Sequence, residues 1–157
     1  MKSRDDAAYR LELAKGYLAR AESDAVDGQW DSCLANAQEA VENAGKSILA
    51  HFRPVPHTHD LIEPLEQLLK PDAVPAAIRQ RIEGALDAFR GMGFDTHVRA
   101  AYGDEETRTP PWELIEEAEA RTGLEKARRA VALAETVYAE MTAPPRKPDT
   151  PAATEDM

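Results

Sequence analysis

Apolar positions along the chain recur with the period of an α-helix, and the longest uninterrupted stripe lies in residues Trp30–Phe52. Its members follow steps of four and three residues: Trp30, Leu34, Ala37, Val41, Ala44 and Ile48. A second line of small or apolar residues runs beside it, formed by Cys33, Ala40 and Ser47. Because this face is wider than a two-helix contact needs, the pattern predicts a helix at the centre of a bundle.

Four further helices are predicted around this one. The first runs from Ser3 to about Ala25, and the short Asp27-Gly28 turn makes it an antiparallel neighbour of the central helix. Two prolines then interrupt the chain in a connector at 53–59. The remaining helices are expected at about 60–70, 75–90 and 110–141, from their leucine, isoleucine and alanine spacing.

The segment 91–111 is predicted to be irregular, because glycines open it and two prolines close it. The last residues, 142–157, are rich in proline and poor in apolar side chains, which predicts disorder. The sequence therefore predicts an all-α, five-helix up-down bundle over 4–141, followed by a disordered tail.

Charge and composition narrow the functions that this bundle can have. The formal net charge of −10 disfavours a global electrostatic grip on nucleic acid, so any RNA contact must be local. The single cysteine, Cys33, lies on the apolar face of the central helix and is expected in the core. Neither a membrane-length apolar run nor an apolar signal core is present, so we expect a cytoplasmic protein without membrane contact.

Three stretches resemble the HEPN domains, which are small prokaryotic helical bundles. They are the run from Ala37 to Lys46, the tripeptide His59-Asp60-Leu61, and the element Arg99-Ala100-Ala101-Tyr102-Gly103-Asp104. The resemblance implies a HEPN-like bundle that forms a homodimer through the face near the third stretch. It also implies a gene partner, a minimal nucleotidyltransferase, in a toxin–antitoxin or defence module.

Active ribonucleases of this family carry an Arg followed, after four to six residues, by a His that moves protons without a metal ion. Arg90 and His97 have this spacing and lie where the family motif belongs, so they are the predicted catalytic pair, with Arg99 and Tyr102 as substrate-binding residues. Arg53 and His59 share the spacing but lie in a different connector. The structural alternative is that Arg90 and Arg99 pair with nearby acids.

Two functions therefore remain open from the sequence. The first is a metal-independent endoribonuclease with the site just described, and it requires neither cofactor nor metal ligands. The second is a non-catalytic bundle that binds a nucleotide, RNA or a protein partner, or serves in oligomerisation. Gly91, in place of the usual polar residue after the motif Arg, and the acidic surface favour the second function.

Overall fold

The computed structural model describes residues 2–144, with side chains from Asp5 onward. Its helices are α1 (Lys2–Val26), α2 (Trp30–Ala50), α3 (Ile62–Gln67), α4 (Ala76–Ala85), α5 (Phe94–Tyr102), α6 (Pro111–Leu114) and α7 (Glu117–Thr142). A 3-10 turn, Leu86–Phe89, continues α4. No strand occurs in this range, where one isolated bridge joins Asp104 and Thr109.

The central position predicted for α2 is confirmed. Helices α1, α7 and α5 all pack on it, and every residue from Ala40 to Ala50 is buried. Val41 and Ile48 are at most 1% exposed, and Cys33 is fully buried in the same core. Burial raises the pKa of the Cys33 thiol to about 11, which keeps it protonated and inert.

The α1–α2 hairpin and the all-α class are also confirmed, but the predicted number of helices, five, is too low. The segment predicted to be irregular contains α5, whose Thr96 and Ala100 are buried against the bundle. Sequence patterning missed α5 because a nine-residue helix shows only two turns of periodicity, and glycines stand at both of its ends.

The predicted last helix, 110–141, is divided in two. The backbone is extended at Ile115 and Glu116, which separates α6 from α7. This break buries Ile115, which is 4% exposed. The predicted disordered tail lies outside the described residues from position 145 onward.

Candidate functional site

His97 points from α5 toward the middle of α2. Its Nδ1 atom lies 3.0 Å from Oε1 of Gln38 and 3.6 Å from Oε1 of Glu39. The imidazole is 30% exposed, so one edge is held by α2 while the other remains accessible. Helix α5 therefore positions the predicted catalytic histidine, although the sequence had placed it in a loop.

A second histidine, His59, stacks on His97. The two ring centroids are 4.3 Å apart, and the ring planes differ by 14°. Nδ1 of His59 lies 2.8 Å from Oε2 of Glu42, and its side chain is 37% exposed. The connector after α2 thus returns over that helix and brings His59 to the predicted site, which sequence position alone did not suggest.

Beneath the two rings lies a buried polar network on α2. Glu42 accepts hydrogen bonds from Gln38 Nε2 at 2.9 Å and from Lys46 Nζ at 2.7 Å, besides its contact with His59. Burial alone would raise the pKa of Glu42, but the hydrogen bonds from Lys46, His59 and Gln38 outweigh it and lower this pKa below its ordinary value. Glu42 is therefore an ionised carboxylate inside the bundle.

These network residues were missed as functional candidates, although a signal was present. Gln38, Glu42 and Lys46 recur every four residues on a helix whose other inward positions are small or apolar. Charged side chains are rarely buried unless they are paired, so such a line marks either a structural ion pair or a site.

The two predicted arginines form ion pairs with glutamates on other helices, α3 and α7. Arg90 is exposed, with Nη2 3.6 Å from Oε1 of Glu66. Arg99 points toward α7, where Glu119 binds its guanidinium through two hydrogen bonds and raises its pKa. Both pairs agree with the structural alternative, and within residues 5–144 no hydrogen bond joins either arginine to His97.

Tyr102, the fourth predicted site residue, lies at the C-terminal end of α5 with its side chain exposed. It belongs to an outward-facing set of aromatic residues that also includes Phe94 and Trp112. The Phe94 ring centroid is 6.2 Å from that of His59, so Phe94 lies beside the histidine pair. An open pocket of about 350 Å³ lies beside it, lined by Asp60, Gly93 and Phe94 among others.

The accessible atoms of the site are the two Nε2 nitrogens. In an imidazole ring the two nitrogens lie on opposite sides of Cε1, so a ring whose Nδ1 faces α2 turns Nε2 away from it. No protein group in the described range binds the Nε2 atom of His59 or of His97, and neither atom is buried. The pair can therefore exchange protons with a molecule bound at the surface.

Among the residues that the structure describes, no group of three or more His, Cys, Asp or Glu side chains is arranged to hold a metal ion. None of the helices in this part of the chain combines the length and the apolar character that crossing a bilayer requires.

Comparison with known proteins gives a family and a fold. The model of the HEPN domain matches residues 7–142. The crystal structure of TT1696 from Thermus thermophilus is similar over 83% of this chain and 97% of that chain, with a TM-score of 0.60 and 22% sequence identity, which shows a shared fold. Curated proteins gave no match. Since the family model spans most of the sequence, the chain belongs to the HEPN domain family.

Proposed function

We propose that this HEPN protein is a metal-independent endoribonuclease and belongs to a two-gene toxin–antitoxin or defence module with a minimal nucleotidyltransferase. The observation that carries the proposal is the orientation of the His97 ring. Its Nδ1 is held by Gln38, while its Nε2 faces outward without a protein partner in the described range. A histidine oriented in this way can remove the proton from an RNA 2′-hydroxyl.

Arg90 supplies the phosphate contact in this proposal. Its ion pair with Glu66 is long, at 3.6 Å, and both side chains are exposed. Exposed pairs of this kind contribute about 0–1 kcal/mol, so a phosphate can replace the carboxylate at little cost. Arg99 is held more firmly by Glu119, which makes it the less available of the two cations.

The proposal is tested with purified protein and single-stranded RNA in the presence of a chelator. We expect cleavage by the wild type, none by His97→Ala, and unchanged cleavage by His57→Ala, an exposed histidine in the same connector as His59. Arg90→Ala should raise KM about 10–150-fold, since a charge-assisted hydrogen bond contributes about 1.5–3 kcal/mol. Arg81→Ala, which removes another exposed glutamate-paired arginine, should leave KM unchanged.

A non-catalytic binding role is the second candidate. It is favoured by the carboxylates of Glu39 and Glu42 near the histidines, which repel phosphate on a molecule of net charge −10. The exposed aromatic residues on α5 and α6 would then contact the nucleotidyltransferase. If wild type and His97→Ala behave alike toward RNA, and the neighbouring gene product co-purifies with both, this role replaces the nuclease.

A further inference from the structure

We propose that His59 is the second proton-transfer residue of this site, acting as the general acid, and that Glu42 positions it. The inference rests on the proposed ribonuclease function and extends it to residues outside the Arg90–His97 pair. It begins from the stacking of the two imidazoles, which places two proton-transfer groups of one chain 4.3 Å apart, centroid to centroid.

One hydrogen-bond network orients both rings. The Gln38 amide donates from Nε2 to Glu42, so the atom that it turns toward His97 is the carbonyl oxygen Oε1. A carbonyl only accepts, and therefore Nδ1 of His97 carries the hydrogen. The outward Nε2 of a neutral His97 is then a free lone pair, as a general base requires.

His59 faces a different partner. Its Nδ1 donates to the carboxylate of Glu42, which is buried and ionised through Lys46 and Gln38. This carboxylate lies 2.8 Å from Nδ1 of His59, whereas Nδ1 of His97 faces the neutral amide of Gln38 at 3.0 Å and the carboxylate of Glu39 only at 3.6 Å. A hydrogen-bonded anion offsets the positive charge of an imidazolium more than an amide oxygen does. The two stacked rings therefore differ in their hydrogen-bond partner, a carboxylate for His59 and an amide oxygen for His97, and this difference assigns the general-acid role to His59.

The reaction follows with atoms and charges balanced. Nε2 of His97 takes the proton of the 2′-hydroxyl, and the 2′-oxygen forms a bond to phosphorus. The bond from phosphorus to the 5′-oxygen breaks, and that oxygen receives the proton from Nε2 of His59. The products are a 2′,3′-cyclic phosphate and a 5′-hydroxyl, and proton exchange with water restores both rings.

The test compares two RNA substrates, one ordinary and one with sulfur in place of the 5′-oxygen at a single scissile bond. A thiolate leaves without protonation, so its departure does not need a general acid. We expect His59→Ala to cleave the ordinary RNA about 10²–10⁴-fold more slowly than wild type and the sulfur RNA at about the wild-type rate. His97→Ala should cleave neither substrate, and His57→Ala should cleave both normally.

Glu42→Gln tests the positioning role by the ratio of the two rates, which does not depend on the fraction of folded protein. The ratio of sulfur to oxygen cleavage should rise, and Glu42→Asp should bring it part of the way back. If His59→Ala slows both substrates equally, or neither, the general-acid assignment is wrong while the proposed ribonuclease stands. If wild type cleaves neither substrate, the proposed function itself fails.

Discussion

Glu39 and Glu42 lie one turn apart on α2, yet their surroundings shift their pKa values in opposite directions. Burial, together with the charge of Glu42, raises the pKa of Glu39 above its ordinary value of 4.5 despite the nearby histidines. The pKa of Glu42 is lowered, because its three hydrogen bonds outweigh burial. One carboxylate thus opposes folding at neutral pH and the other supports it.

Substituting each glutamate by glutamine should therefore change stability with opposite sign. The stabilising contribution of protonated Glu39 is present below pH 4.5 and is lost as the pH rises through its folded pKa. Glu39→Gln should raise Tm at neutral pH and leave it unchanged at about pH 4.

The contribution of Glu42 is present above pH 4.5 and is lost as the pH falls through its folded pKa, so Glu42→Gln should lower Tm at neutral pH. The expected cost is about 3 kcal/mol, because the substitution breaks a buried ion pair. Thermal melting of both variants across this pH range provides the check, and shifts of the same sign at neutral pH would contradict the two environments described.

Helix α5 carries His97, and the glycine at its C-terminal end decides where the helix stops. Gly103 has φ 74° and ψ −143°, a conformation open essentially to glycine alone. A Cβ built there would overlap the carbonyl oxygen of Thr109, which belongs to the bridge that closes the following loop. The end of α5 and the loop that leads to α6 therefore depend on this position.

Gly103→Ala should lower the free energy of unfolding by about 3–4 kcal/mol, from backbone strain and the clash together. Gly28→Ala is the matched control, since Gly28 also has positive φ, 70°, but open space around its Cβ. We expect the control to cost about 1–2 kcal/mol, from strain alone. Urea denaturation measures both values, and equal costs would mean that the loop moves away from the new methyl group.

At the scale of the whole molecule, α2 is covered by its own chain. The small residues Ala40, Ala44 and Ser47 of α2 are buried within the monomer. A homodimer, which the family resemblance led us to expect, would have to use another face. The exposed aromatic residues Phe94, Tyr102 and Trp112 on α5 and α6 supply one, since apolar rings favour the centre of an interface.

We expect the protein to sediment as a dimer at micromolar concentration and Trp112→Glu to sediment as a monomer. Trp112 is 71% exposed, so the new charge should not affect folding but would be buried without a partner in the dimer. Val26→Glu introduces the same charge at an 88% exposed residue at the end of α1 and should remain dimeric. If the wild type sediments only as a 17.3 kDa species, the expected homodimer is wrong.

Long-range contacts explain why the candidate site was only half predicted. Motif spacing and position predict Arg90 and His97, and the resemblance of residues 99–104 to HEPN domains adds Arg99 and Tyr102. In the structure Arg99 points to α7 and Tyr102 points outward. His59 and Glu42 had no assigned role. The pair Arg53 and His59 has the motif spacing but lies in a connector other than the one where the family motif belongs, and yet the rings of His59 and His97 stack.

The sequence by itself determined the helical class, the α1–α2 hairpin, the central place of α2 and the HEPN family. The first three features follow from periodicity and residue order, which are local properties of the chain, whereas the family follows from the resemblance of three stretches to HEPN domains. The tertiary structure decided that α5 is a helix, that α6 and α7 are separate, and that His59, His97 and Glu42 meet. Each of these depends on which surfaces the folded chain brings together, and packing between distant segments leaves no period in the sequence.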